Sequence, residues 1–154
     1  MINLTVTDGK PYINQVKELI KEYVTALGRD LSFQNIGDEL KDPSIKYTAP
    51  EGELLVAVDN DTVYGMVAYH RHSDTRCEMK RLYVKPSCRG DKLGEKLICE
   101  IMKHAKEAGY KEMVLDTIEP LKAAVHLYEK CGFERCEPYY NNPMDDVIYF
   151  RAIL

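Results

Sequence analysis

The order of periodicities along the chain predicts a mixed α/β sheet with helices on both faces. Two observations carry this. Three strand-like runs follow closely between residues 54 and 84, and two helical apolar stripes come after them with a short strand-like run between. The full order, βα(α)βββαβαβ(β), buries both sides of a sheet under helices. At 154 residues the chain fits one domain, residues 1–154, with core enough to need neither metal nor disulfide staples.

Each element has its own signal. Ile2 to Val6 alternates apolar and polar residues and predicts a short strand. Tyr12, Ile13, Val16, Leu19, Ile20, Tyr23, Val24 and Leu27 recur at helical spacing until Gly28 stops the helix. The polar stretch from Arg29 to Pro50, punctuated by Gly37, Pro43 and Pro50, predicts one short helix and a loop. Leu54–Val58, Val63–His70 and Cys77–Val84 predict three strands, and Asp59-Asn60-Asp61 predicts an antiparallel hairpin between the first two. A stripe from Leu93 through Leu97, Ile98, Ile101, Met102, Ala105 and Ala108 predicts a long helix ending at Gly109. Met113–Thr117 predicts a strand. Leu121, Ala124, Val125 and Tyr128 predict a helix begun near Pro120 and closed by Gly132, and Val147–Leu154 predicts the last strand.

Composition narrows the function. A formal net charge of -4 argues against nucleic acid bound through a broad basic surface. The five cysteines, at 77, 88, 99, 131 and 136, are odd in number and include no Cys-x-x-Cys pair. That suggests neither a disulfide framework nor a zinc site, and it fits a reducing, cytoplasmic setting. No run approaches the length of a membrane span, and the start has no leader-like pattern. The sequence sets no oligomeric state, and a homodimer is allowed. His70-x-His72 lacks a third ligand nearby and reads as a pair of solvated strand-end histidines rather than a metal site.

The segment Leu82-Tyr83-Val84-Lys85-Pro86-Ser87-Cys88-Arg89-Gly90-Asp91-Lys92-Leu93-Gly94 runs from a strand end through a basic turn into a helix. A helix start leaves backbone N–H groups unpaired at the positive end of its dipole, so an anion is held there. Arg89 adds a fixed charge. Glycines at 90 and 94 allow a tight turn and close approach.

This segment resembles the cofactor motif of the GNAT superfamily of N-acetyltransferases, through Arg89 and Gly94 and the strand end Leu82-Tyr83-Val84. A second stretch, Ala124-Val125-His126-Leu127-Tyr128-Glu129-Lys130-Cys131-Gly132-Phe133, resembles the closing helix of that family. Two motifs at the expected separation are more specific than either alone. The resemblance runs from about residue 53 to the end, and it departs at Lys92, where the family has its first glycine. It implies a GNAT-like sheet and acetyl-coenzyme A as donor, with no metal. The cofactor then falls to Leu82, Tyr83, Val84, Arg89, Gly90, Asp91, Lys92, Leu93 and Gly94, with its pyrophosphate at the turn from Arg89 to Gly94. The implied reaction is direct acetyl transfer to a primary amine of a small molecule or peptide. The alternative, motivated by Lys92, is a coenzyme A-binding or sensing module without turnover.

The same resemblance implies roles for three further groups. Glu78 matches the glutamate that removes the amine proton, and burial raises a carboxyl pKa toward that of a useful base. The competing reading of Glu78 is an ion pair with Lys80, Arg81 or Arg76. Strand parity puts Glu78, Lys80 and Leu82 on one side. The amide of Leu82 matches the oxyanion donor. Tyr128 matches the acid that protonates the departing thiolate, and it reads equally as a core tyrosine. The acidic balance and Glu78 lean toward a cationic acceptor. The turn-rich segment Pro138 to Pro143 falls where the family's loop borders the acceptor.

Overall fold

Seven strands line up in one sheet because their side chains alternate between two apolar layers. The computed structural model of the protein describes residues 3–31, 34–90 and 92–154. The strands are β1 (Thr5–Asp8), β2 (Glu53–Asp59), β3 (Thr62–Arg71), β4 (Arg76–Val84), β5 (Glu112–Ile118), β6 (Glu134–Arg135) and β7 (Val147–Ile153). The helices are α1 (Ile13–Leu27), α2 (Ile36–Lys41), α3 (Pro43–Lys46), α4 (Leu93–Glu107) and α5 (Lys122–Lys130). The sheet order is β1-β2-β3-β4-β5-β7-β6, with β4–β5 the parallel pair and the other pairs antiparallel.

Helices cover both faces, as the periodicities require. On one face Val16, Leu19 and Ile20 of α1 meet Leu54, Val56, Val63, Met66 and Ala68. On the other, Leu97, Ile98, Ile101 and Ala105 of α4 and Val125 and Tyr128 of α5 pack with Leu55, Val67, Met79 and Leu115. Fully burying each Leu or Ile of α4 is worth about 1.5–3 kcal/mol, so tertiary packing holds this helix in place.

Most element ends fall close to their signals. Gly28 closes α1 in the left-handed region (φ 67°), its N–H donating to the Val24 carbonyl. Asn60 and Asp61, both at positive φ, form the two-residue hairpin turn between β2 and β3. Two expectations change. The first strand lies at Thr5–Asp8, paired with β2 from Thr5↔Val58 to Asp8↔Leu55, while Ile2 falls outside the described residues. Among the described residues the stretch 29–50 holds two short α-helices rather than one, because Asp42 accepts from the Ser44 N–H and starts α3 at Pro43.

The consequential irregularity lies in β4. Met66 faces Tyr83 and Ala68 faces Lys80, so two steps on β3 span three on β4. Arg81 is the extra residue, with φ 61°. The bulge turns Arg81 toward α2, where its Nε and a terminal nitrogen donate to the two oxygens of Glu39 at 2.7 and 3.0 Å. Both side chains are almost wholly buried. The Tyr47 hydroxyl donates to Glu39 at 3.0 Å, and the Arg81 guanidinium lies 5.6 Å from the centre of the Tyr23 ring. Strand parity therefore fails at Leu82. Glu78 and Lys80 stay on the α2 side, whereas Leu82 packs against the layer that holds α4 and α5.

Removing one member of a buried ion pair strands the other, at about 3–5 kcal/mol. Glu39→Gln is expected to destabilise the protein by that order in denaturant titration, and a loss under about 1 kcal/mol would show that the pair does not hold the bulge. Burial pushes the Glu39 carboxyl pKa up, but the Arg81 hydrogen bonds and charge outweigh it and the net shift is downward. Its contribution is thus full above the ordinary glutamate pKa of 4.5 and drains away as pH falls below that value. Glu39→Gln should flatten this acid limb of the stability curve.

Candidate active site

Two cavities meet at β4. The parallel pairing of β4 with β5 lasts three positions, from Arg76↔Glu112 to Glu78↔Val114, and then the strands part. Beyond Glu78 the main chain of β4 has no ladder partner in β5, which leaves polar backbone groups turned to a cleft. Leu82, Asp116, Tyr128 and Met144 line this cleft. Beside it opens a hollow of about 350 Å³ lined by Lys46, His70, His72, Glu78, Tyr139 and Asn141, among others. Gln34 and Lys80 line both.

The hollow is organised by Glu78, which is 7% exposed. His70 Nε2 lies 2.7 Å from one carboxylate oxygen, and the Tyr139 hydroxyl donates to the other. Burial pushes the Glu78 pKa up, yet the His70 hydrogen bond, the Lys80 charge and the Tyr139 hydrogen bond together bring it down to about 2. The expected rise is therefore reversed, and Glu78 is a firm anion at neutral pH. The proposed ion pairs are absent too: Arg81 bonds Glu39, Arg76 bonds Glu112, and Lys80 donates to Gln34 at 3.0 Å.

His70 is not a solvated strand-end residue, because its ring is held against Glu78 and its side chain is 23% exposed. Register could have found this contact. The turn centred on Asp74 makes His70 and Glu78 direct cross-strand partners. His72 is exposed and meets Tyr139 edge-on, with ring centres 5.3 Å apart. Tyr139 comes from the turn-rich 138–143 segment, where turn chemistry hid its role. A bidentate pair between Arg29, just after α1, and Asp146 (2.9 and 2.8 Å) ties down the chain just before β7. Gln34 and Lys46 had no sequence signal at all, since both stand in the polar stretch without periodicity.

Tyr128 sits in the core and on the cleft at once. Its ring packs against Phe133 and Phe150, it is 7% exposed, and burial pushes its phenol pKa above the ordinary tyrosine value. Its hydroxyl makes no hydrogen bond to another described residue, yet it is not a sealed unsatisfied atom.

The 82–94 turn divides its residues between support and contact. Tyr83 and Leu93 are buried in opposite layers of the core, and Val84 is half-buried, its carbonyl accepting from Arg89 Nε at 3.1 Å. The Arg89 guanidinium also covers the Tyr83 ring at 5.5 Å. Gly90 is at φ 93° with open space around it, so backbone freedom is its use. A Cβ on Gly94 would lie 2.9 Å from a Leu127 methyl, so this glycine lets α5 approach α4. Asp91 lies outside the described residues. Lys92 takes φ 60° at the start of α4, adopting the left-handed backbone that glycine favours. Among the described residues no side chain caps α4, which leaves the amides of its first turn available to an anion.

Among the described residues no group of three or more His, Cys, Asp or Glu is placed to hold a metal ion, and no helix is long and apolar enough to cross a membrane.

Comparison with known proteins bears on the family and the fold. The chain is 48% identical over 141 residues to the uncharacterized N-acetyltransferase C1271.07c of Schizosaccharomyces pombe, covering 90% of this chain and 86% of the relative. It is 41% identical over 140 residues to the uncharacterized N-acetyltransferase YjgM of Escherichia coli, covering 89% and 83%. The crystal structure of an acetyltransferase from Streptococcus agalactiae superposes with a TM-score of 0.81 over 98% of each chain, at 25% identity. A family model described as the acetyltransferase (GNAT) family matches residues 14–133. The chain therefore belongs to the GNAT family of acetyltransferases, the enzymes that draw their acetyl group from acetyl-coenzyme A.

Proposed function

We propose that the chain transfers the acetyl group of acetyl-coenzyme A to a primary amine of a small molecule or peptide, by direct attack in a ternary complex. The observation that carries this is the parting of β4 from β5 after Glu78, which joins the cleft to the hollow beside an uncapped helix start. Acetyl-coenzyme A supplies a thioester carbonyl. The first-turn amides of α4, with Arg89 and Lys92, hold the diphosphate, and Tyr83 and Leu93 support that turn from the core.

The acceptor amine enters from the hollow. Its nitrogen bonds to the carbonyl carbon, the carbon–sulfur bond breaks, and the nitrogen loses one proton. Glu78 receives that proton directly or through water. A carboxylate this acidic is a weak base, and His70, 2.7 Å away, offers the proton a second resting place. The Leu82 amide faces the developing oxyanion, a kind of contact worth about 2.7–4 kcal/mol. Tyr128 gives its phenolic proton to the departing thiolate. The Lys92 backbone weakens the motive for a binding module without turnover, because the lysine takes the left-handed conformation that glycine favours.

Three outcomes test these roles. Coenzyme A at 100 times its dissociation constant should add about 2.7 kcal/mol of stability. Arg89→Glu should shrink that shift in calorimetry. Lys92→Gly should raise the unliganded melting temperature, by relieving a left-handed residue, while weakening coenzyme A binding. If Arg89→Glu binds as the parent does, the diphosphate lies elsewhere.

Glu78→Gln should lower turnover about 10²- to 10⁴-fold with coenzyme A affinity unchanged, and the deficit should narrow as pH rises and the free amine needs less help. An unchanged rate across pH would leave Glu78 a structural partner of His70.

Tyr128→Phe keeps the ring and deletes only the hydroxyl. The rate should fall while the melting temperature stays close to the parent. Because burial holds the phenol's pKa above its ordinary value, the parent's activity should show no tyrosine-linked descent below pH 10. Equal rates in the two proteins would assign the leaving-group proton to water.

A further inference from the structure

We infer that the amine accepted here also carries a carboxylate, and that Lys80 receives it. This rests on the reading of the hollow as the acceptor side. Lys80 is 9% exposed, lies at the junction of cleft and hollow, and donates to the neutral Gln34 amide oxygen at 3.0 Å. An ammonium has three donors, and no carboxylate of the described residues lies within ion-pair distance of this one. The charges of Glu78 and Asp116 reach this ammonium only from beyond ion-pair distance, and its one hydrogen bond among the described residues goes to a neutral partner. A charge buried so is costly, and an incoming anion in direct contact offsets that cost.

The neighbouring carboxylates already hold other partners, Asp116 through one of its two oxygens. Both oxygens of Glu78 are taken by His70 and Tyr139, and Asp116 across the cleft accepts from Tyr140 and Asn142. Lys46, at the hollow's other side, leans on Glu39 at 3.6 Å, a carboxylate that Arg81 already holds in two bonds. The hollow thus presents two lysines against one carboxylate, although the whole chain is acidic. A second cationic group on the acceptor would be repelled there, and a carboxylate would find the unused Lys80 donors.

The test uses amino acids with small, acidic and aromatic side chains, each as free acid and as carboxamide, with a polyamine as cationic control. Thiol release from acetyl-coenzyme A is followed. Free acids should show kcat/KM at least tenfold above their amides, and Lys80→Met should erase that preference through KM, with coenzyme A affinity and melting temperature unchanged. Equal use of acids and amides, or preference for the polyamine, overturns the inference. So does a Lys80→Met loss of kcat that is the same for acids and amides, which would assign Lys80 to the oxyanion. A second measurement needs no turnover: the coenzyme A-loaded protein is titrated with N-acetylated acids and N-acetylated amides. Tenfold tighter binding of the acids supports the anion site even if no amine is acetylated, in which case the transferase reading alone fails. Equal binding rejects the site.

Discussion

The buried pair between Arg81 and Glu39 is the constraint on which the site depends. A strand that loses its parity midway has to be held in the irregular form, since a left-handed residue such as Arg81 costs of order 1–3 kcal/mol. The two hydrogen bonds from Arg81 to Glu39, with Tyr47 bonding the same carboxylate, supply that hold. They also fix α2 over the sheet, because Glu39 comes from that helix. Without the bulge, Leu82 would stay in step with Glu78 and Lys80, and the side chains lining the cleft would change places with those of the core.

The site's electrostatics follow from the same arrangement. With Arg81 engaged by Glu39, Glu78 is left to His70, Tyr139 and the field of Lys80, and its carboxyl titrates near pH 2 despite its burial. Burial alone predicts the opposite sign. The deciding quantity is the number of donors and cations that surround the carboxylate, and those come from β3, β4 and the loop before β7.

Much of the fold was legible in the sequence because apolar periodicity records which side of each element is buried. The long stripe from Leu93 to Ala105 and the hairpin turn at Asn60-Asp61 are examples. The bulge was not legible, because nothing in Lys80-Arg81-Leu82 distinguishes a regular strand from one with an extra residue, and the parity argument failed there. Family resemblance singled out Glu78, Tyr128 and the 89–94 turn. It offered nothing for Gln34, Lys46 or Tyr139, which reach the hollow from segments whose own spacing carries no period. His70 stood between these cases, since pairing across the β3–β4 turn contained the contact but composition suggested solvent.

Among the described residues the cleft and the hollow have only Gln34 and Lys80 in common. Much of the hollow's remaining wall comes from the 138–143 segment and from Lys46, both outside the paired strands, whereas the cleft is walled largely by the sheet and its helices. Evolution can therefore rewrite one wall while leaving the other alone. Under the roles proposed here, descendants of such a chain would exchange acceptors by altering a loop and a short helix, with the donor machinery inherited intact.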